Sequence, residues 1–254
     1  MTNYKEAYTK SCDLSIIIPF HNEAGNIIPL MEEIQDSFKE ERFEVIGIDD
    51  ASDDATSDEL LLAMEAYTFL RVIRHSKRLG QSMALRNGIF ASYGEIIGMM
   101  DGDGQNPPTE LYKLYKRLDL IRPHKGMVAG IRVNRSENQW RRFISSFANR
   151  LRRSLLKDKL TDAGCSLKII DRQICLAMPG FKNMHRYLAI LTIMVGGRIA
   201  EIEVTDRKRN SGQTKYSTIG RALSGIVDLL GVMWLKSGYR LVKVEEITIR
   251  RGVP

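Results

Sequence analysis

The chain has 254 residues, 43% hydrophobic and 27% charged, which excludes a disordered, collagen-like or disulfide-stapled chain and fits one large domain or one domain with an appendage. Its net charge of +7 is unevenly spread: residues 1–120 hold 12 Lys and Arg against 21 Asp and Glu, and residues 121–254 hold 26 against 10. That asymmetry suits an acidic half that holds a metal and a basic half that faces phosphates or an anionic surface.

Three scattered cysteines, Cys12, Cys165 and Cys175, make neither a disulfide framework nor a zinc site and fit a reducing compartment. The N-terminal MTNYKEAYTK has no apolar core, so no signal peptide is expected. No run of about 20 apolar residues is present, so no bilayer-spanning segment is expected either.

Along the chain, Leu14–Ile18 reads as a strand stopped by Pro19, and Ile27, Leu30, Met31, Ile34 and Phe38 recur at helical spacing. Phe43–Ile48 is a second strand and Asp54–Tyr67 a second helix. Strand Leu70–Ile73, helix Gln81–Ser92 and strand Glu95–Met100 follow. Pro107-Pro108 opens a further helix, and Met127–Gly130 and Arg198–Val204 read as further strands. Alternating strands and helices imply an α/β fold with a mostly parallel sheet covered on both faces. Ligands on such sheets bind beyond the carboxyl ends of the strands.

Three strand ends carry polar clusters: Pro19-Phe-His-Asn-Glu23, Asp49-Asp-Ala-Ser-Asp-Asp-Ala-Thr56 and Asp101-Gly-Asp-Gly-Gln105. Asn22, and Ser52 or Asp53, could each be a helix N-cap. Three clusters on one sheet edge ask for more than capping. Asp101 and Asp103 on a tight glycine loop supply hard oxygen ligands suited to Mg²⁺ or Mn²⁺, and Gln105 adds a neutral oxygen. Gly102 and Gly104 allow close backbone approach.

These segments resemble the inverting glycosyltransferases of family 2 with the GT-A fold, in particular the branch that acts on polyprenyl phosphates such as dolichyl and undecaprenyl phosphate. The resemblance runs from about Leu14 to about Leu235. It rests on IIIPFHNE at 16–23, IDDASDDAT at 48–56, RLGQSMALRNG at 78–88, DGDGQNPP at 101–108, DAGCSLK at 162–168, HRY at 185–187 and RKRNSGQTKY at 207–216. It implies that Pro19, His21, Glu23, Ile48 and Asp50 hold the base and ribose of a GDP- or UDP-sugar, with Asp101, Gly102 and Arg132 also on the donor. It further implies that Asp101, Asp103 and Gln105 hold Mg²⁺ or Mn²⁺ on the diphosphate. Asp162 and Asp103 are implied as catalytic, Asp162 beside the acceptor, and Arg207, Arg209 and Lys215 as a loop that closes over phosphates. His21 stands where the family often has Tyr or Phe, and Gly102 where it usually has Ala.

The basic half agrees with this assignment. A phosphate acceptor is already anionic near neutral pH, so the demand on Asp162 as a base is mild, and orienting the acceptor is the alternative role. Four cations and a glycine within Arg207–Lys215 suit a phosphate clamp. The bland alternative there is an exposed basic loop. Nucleic acid is not expected, because interleaved aromatics are missing and the first half is acidic.

Arg141–Lys159 holds seven Lys and Arg and one Asp, with Phe143, Phe147, Leu151 and Leu155 in an apolar stripe. In Ser217–Leu235 the polar positions Ser217, Arg221, Ser224 and Asp228 form one stripe on an otherwise apolar helix. Both read as amphipathic helices for an anionic membrane surface, or as contacts in the core, in a homo-oligomer or with a membrane-anchored subunit. Tyr239–Ile249 alternates loosely, as an added strand would.

The expected organisation is a catalytic domain over 1–216 and a membrane-surface helix with a tail over 217–254, peripheral at the cytoplasmic face of the membrane. The expected reaction passes a sugar from a nucleotide-diphospho-sugar to a polyprenyl phosphate. Transfer to a glycan or protein hydroxyl, and a silent nucleotide-sugar-binding scaffold, are the competing readings.

Overall fold

The computed structural model describes residues 12–133, 154–156, 160–207 and 218–240. Its strands are β1 (Leu14–Phe20), β2 (Phe43–Asp49), β3 (Leu70–Arg74), β4 (Ile96–Met99), β5 (Gly126–Arg132), β6 (Lys168–Asp171) and β7 (Arg198–Val204). They form one seven-stranded sheet in the order β3-β2-β1-β4-β6-β5-β7. β6 runs antiparallel to both β4 and β5, and the remaining pairs are parallel. The inner strands read as continuous apolar runs because the sheet is covered on both sides.

On one face lie α1 (Ile27–Phe38), α2 (Thr56–Ala66) and α4 (Pro108–Tyr115). Their buried residues pack with Leu14, Ile16 and Ile18 of β1. On the other face, α3 (Gln81–Ala91), α5 (Arg172–Ala177), α6 (Leu188–Met194) and part of α7 (Thr218–Gly238) pack with Ile17. The period-2 alternation of β1 thus feeds both cores. The buried residues of α1 are the five whose spacing predicts the helix. Gly88 in mid-α3 has a packing reason: a Cβ there would collide with the Ile17 side chain, so its absence lets the helix settle on β1.

Most predicted elements form, with ends shifted by one or two residues. The notable difference is at Pro19, which does not stop β1. The ladder to β4 ends at the Ile17–Met99 pair, so Pro19 lies beyond the point where β4 would need its missing N–H, and β1 continues along β2 to Phe20.

α7 follows the sequence expectation in span but shares its apolar residues between two environments. Leu229 and Val232 are buried against the sheet-covering layer, while Val227, Leu230 and Trp234 are 70%, 59% and 77% exposed. Asp228 of the polar stripe faces the body and accepts a hydrogen bond from Asn183 Nδ2 at 2.8 Å. Among the described residues no helix is long and apolar enough to cross a membrane. The expected basic helix over 141–159 lies outside the described residues except for 154–156, and the expected strand over 239–249 except for Tyr239 and Arg240.

Candidate active site

The order of strands reverses at β1 and β4, where a doubly wound sheet opens a crevice at its carboxyl edge. All three polar clusters meet there. The loops after β1 and β2 clasp each other. His21 Nδ1 lies 3.1 Å from the Asp50 carbonyl oxygen, and the Asn22 amide donates to Ser52 Oγ at 3.2 Å. Asn22 Oδ1 accepts from the Asp53 amide at 3.0 Å, and the Glu23 amide donates to Thr56 Oγ1 at 2.8 Å.

The capping alternative for Asn22, Ser52 and Asp53 does not hold. The N-cap positions are Asn26 for α1 and Ala55 for α2, and neither makes a side-chain cap bond. The side chains tie loop to loop instead. Asn22 and Ala51 pay for this by sitting at φ +58° and +56°, a region that costs a non-glycine residue roughly 1–3 kcal/mol. Pro19 and Ile48 are register partners directly beneath the clasp.

Asp50 is heavily engaged. One oxygen lies 2.8 Å from His75 Nδ1 and accepts from the Leu79 amide at 2.7 Å; the other accepts from the Gly80 amide at 2.7 Å. Burial alone would push this carboxyl up, but these hydrogen bonds outweigh it and hold it below the usual range. Asn87 Nδ2 lies 2.9 Å from His75 Nε2 and completes the network. Asp50 therefore fixes the 75–80 loop and the start of α3, with His75 and Asn87 as supports that sequence reasoning assigned no part.

On the third loop, Gln81 Nε2 donates to Asp101 Oδ1 at 2.7 Å, and the Gln105 amide donates to Asp103 Oδ1 at 3.1 Å. Gly104 takes φ +72°, which the turn requires. Gly102 has a different reason: a Cβ there would lie 2.5 Å from the ring of buried Phe20. Phe20 thus occupies the space an alanine methyl would need. Burial, then the charge of Asp103, pushes the Asp101 carboxyl up to about 6. A carboxylate whose charge is disfavoured by burial and by its neighbour is what a divalent cation relieves. Among the described residues no group of three or more Asp, Glu, His or Cys is placed to hold a metal. A two-carboxylate set fits Mg²⁺ or Mn²⁺, which take one or two protein carboxylates and complete their shell with water and substrate phosphates.

Asp162, 2% exposed, is gripped at both oxygens by Arg132. Nε donates to one at 2.8 Å and an Nη to the other at 3.1 Å. Burial opposes the charge on Arg132, but the bond to Asp162 outweighs it and raises the guanidinium pKa. Arg132 also lies 3.7 Å from Asp206, which accepts from Asn106 Nδ2 at 2.9 Å. Ser166 Oγ donates to Asn106 Oδ1 at 2.5 Å. A chain of contacts thus joins Asp162 to the Asp101–Asn106 loop. A Cβ at Gly164 would lie 2.9 Å from an Arg132 nitrogen, so any larger residue there would shift the guanidinium that grips Asp162.

Arg207 donates its backbone N–H to the Gln105 carbonyl at 2.8 Å, and its guanidinium pairs with Glu33. The root of the expected clamp is therefore stitched to the carboxylate loop. Arg209 and Lys215 lie outside the described residues.

Beneath Asp101 is a cavity of ≈ 160 Å³, lined among others by Gln81, Ser166, Lys168, His185 and Arg186. Burial, reinforced by Arg186 and Lys168, pushes His185 down to about 3, so its imidazole is neutral. Its Nδ1 lies 2.7 Å from Ser82 Oγ. Lys168 and Arg186 fall within the DAGCSLK and HRY segments, but sequence reasoning gave them no role. The available signal was a lysine set in the apolar run Leu167–Ile170.

The model of the family described as "Glycosyl transferase family 2" matches residues 15–177. A dodecaprenyl-phosphate galacturonate synthase of Rhizobium johnstonii is 33% identical over 232 residues, covering 89% of this chain and 68% of that protein. An undecaprenyl-phosphate 4-deoxy-4-formamido-L-arabinose transferase of Pseudomonas syringae is 30% identical over 224 residues, covering 87% of this chain and 65% of that protein. The chain thus spans about two thirds of the length of these relatives.

Among solved structures, a Pyrobaculum calidifontis mannosyltransferase in complex with GDP-Man and Mn²⁺ superposes with a TM-score of 0.62 at 20% identity, covering 90% of this chain and 65% of that one. A Mycobacterium tuberculosis glucosyl-3-phosphoglycerate synthase in complex with Mn²⁺, UDP and phosphoglyceric acid gives 0.65 at 17% identity, covering 92% and 82%. Sheet order, strand-end clusters and sequence match agree that this chain has the GT-A fold and belongs to glycosyltransferase family 2.

Proposed function

We propose that the chain transfers a sugar, with inversion, from a nucleotide-diphospho-sugar to a polyprenyl phosphate at the cytoplasmic face of a membrane. One observation carries the choice of acceptor: both oxygens of Asp162 are held by Arg132. An ion-paired carboxylate is a poor proton acceptor, and a hydroxyl acceptor needs one. A phosphate is already an anionic nucleophile near neutral pH. Its oxygen attacks the anomeric carbon, the bond from that carbon to the diphosphate breaks, and the nucleoside diphosphate leaves with the electron pair. No proton has to move. Asp162, held in place by Arg132, orients the acceptor and offsets positive charge on the sugar. The relatives named for dodecaprenyl- and undecaprenyl-phosphate sugar transfer support the lipid class.

On the donor side, Pro19, His21, Glu23, Ile48 and Asp50 would surround base and ribose, with Asp50 acting largely through the loop it fixes. Asp101 and Asp103, with Gln105 beside them, would hold Mg²⁺ or Mn²⁺, which supplies charge stabilisation for the leaving diphosphate. Arg207 would exchange Glu33 for phosphate as the 207–216 loop closes, with Arg209 and Lys215 adding charge. Residues 217–254 would form the membrane-facing part: Val227, Leu230 and Trp234 present an apolar stripe that can enter the headgroup boundary of a bilayer.

The test is a panel of UDP- and GDP-sugars offered with undecaprenyl phosphate or with undecaprenol, the products identified by mass. Sugar-phospholipid is expected from the phosphate alone. Equal transfer to the alcohol refutes the acceptor assignment.

A further inference from the structure

The cavity beneath Asp101 contains an unusual pair of cations. Lys168 is 4% exposed and forms no ion pair among the described residues, its ammonium donating only to the Cys165 carbonyl oxygen. Arg186 lines the same cavity, and its guanidinium makes no hydrogen bond or ion pair among the described residues. Among half-buried cations, Arg132 is matched by Asp162 and Arg71 by Glu44, while Arg86 and Arg172 donate to the Met178 carbonyl and the Ser92 hydroxyl; Lys168 is more deeply buried than any of these. Removing an ammonium from water without a counter-ion in contact is costly, so such a group persists where something else needs it. The neighbours do not use up its donors. Gln81 is turned to Asp101, Ser166 to Asn106 and Asp101, and His185 is neutral and engaged with Ser82.

We infer that this cavity is an oxyanion subsite built on Lys168 and completed by Arg186. At ≈ 160 Å³ it is smaller than the roughly 300–1,000 Å³ pockets that enclose a drug-sized ligand, so it takes one ring or one charged group and not a whole nucleotide. It adjoins Asp101, placing its occupant next to the diphosphate end of the donor. Resting on the sugar-transfer reading above, this leaves two sources for one chemistry: a carboxylate on the transferred sugar, as in a hexuronosyl donor, or the acceptor's phosphate. In either case Lys168 meets substrate and sets specificity, whereas a lysine that only balanced Asp101 would serve every donor alike.

The experiment compares wild type with Lys168→Met, Lys168→Arg and Arg186→Gln. Binding of UDP-galacturonate against UDP-galactose, and of GDP-mannuronate against GDP-mannose, is measured by calorimetry; the KM for undecaprenyl phosphate is measured by turnover. One charge-assisted contact corresponds to about a tenfold to hundredfold change. For a sugar carboxylate, Lys168→Met weakens the uronosyl donor by that factor and its neutral counterpart by less than about twofold, and Lys168→Arg restores part of the loss. For the acceptor phosphate, donor binding is unchanged and the KM for undecaprenyl phosphate rises by the same factor. Equal weakening of charged and neutral donors, or no change in either quantity, overturns the subsite. Arg186→Gln, at a partly exposed position, repeats the comparison should Lys168→Met not fold. Wild type that binds donors but yields no lipid-linked product refutes the transfer reading, while the calorimetric comparison still decides the donor arm.

Discussion

The two sides of the crevice are built differently. On the proposed donor side, beyond β1 and β2, acidic and amide side chains are bonded to backbone amides and to each other: Asp50 accepts from two backbone amides, and Asn22 and Asp53 grip reciprocally. On the other side, around β5 to β7 and proposed above to receive the acceptor, charge is carried by side chains with long reach, and Lys168 and Arg186 face a cavity also lined by Asp101 without an ion pair among the described residues. Loops anchored through their backbone, as the proposed donor pocket requires, are preorganised before a ligand arrives. A cavity whose cations form no ion pair is completed by its ligand.

The largest effect is expected at the loop that joins the two sides. Removing divalent metal with EDTA, or substituting Asp101→Asn, should reduce turnover at least about a hundredfold, since the charge on the leaving diphosphate then lacks its main partner. Activity in EDTA should return with Mg²⁺ or Mn²⁺. Unchanged turnover in EDTA would remove the metal from the mechanism.

Arg132→Met sharpens the comparison on the acceptor side. It strands Asp162, a buried carboxylate, without its counter-ion, and breaking a buried pair this way costs about 3–5 kcal/mol. Because the Arg132 side chain is 21% exposed, the lower end is expected. Urea unfolding measures it. A variant within 0.5 kcal/mol of wild type, by the usual scale of surface substitutions, would show that the pair does not hold Asp162 in place.

Gly102→Ala probes the donor side. Its methyl meets the Phe20 ring, and overpacking a filled core costs about 1–3 kcal/mol. The double variant with Phe20→Leu should recover part of that loss, because the two positions share one space. Additive costs would show that they do not.

The donor side was also the more legible in sequence. Its strands carry short β-branched runs, Ile16–Ile18 and Val45-Ile46, α1 carries five apolar residues at helical spacing, and Asp101-Gly-Asp103 names its own chemistry. What sequence could not show is who bonds whom. Asn22 and Ser52 have the right identity for helix caps, but a reach of about 30 residues in sequence takes them to each other instead. The roles of His75 and Asn87 depend on β3 and α3 converging on Asp50, which no local pattern encodes. The acceptor side was harder still, because Arg132 and Asp162 are 30 residues apart on separate elements and their pairing appears only on folding. α7 was legible as amphipathic, but its division between core and surface was not: Leu229 and Leu230 are adjacent in sequence and lie in opposite environments.

Trp234→Ala tests whether that open face meets lipid. The side chain is 77% exposed, so the folded protein should lose little stability. Flotation with anionic liposomes at low salt should fall roughly tenfold, as expected when about 1.5 kcal/mol of buried apolar area is lost. If wild type does not float, direct docking is wrong and a second copy of the chain or a membrane-anchored subunit is the better occupant.

The smallest effect separates the two sides by pH. His185, on the acceptor side, is pushed by burial and then by Arg186 and Lys168 from 6.5 to about 3. Below pH 6.5 the unfolded chain binds a proton that the folded chain refuses until about pH 3, so stability is lost as pH falls through that window. Between pH 6.5 and 5.5 the loss is about 1 kcal/mol, and less to the extent that the ring reaches solvent. The donor-side carboxylates Asp49, Asp50 and Asp54 are held below 3.8, burial being outweighed by their hydrogen bonds, and so lose their contribution only as pH falls through 4 and below. Asp101, pushed up to about 6, has the opposite sign and gains stability as pH falls from 6 toward 4. The His185 contribution is therefore read as the difference between wild type and His185→Gln in urea melts at pH 7, 6.5 and 5.5. A difference that does not change with pH would show that the imidazole is not held neutral by its surroundings, and that the acceptor side is more open to water than its packing indicates.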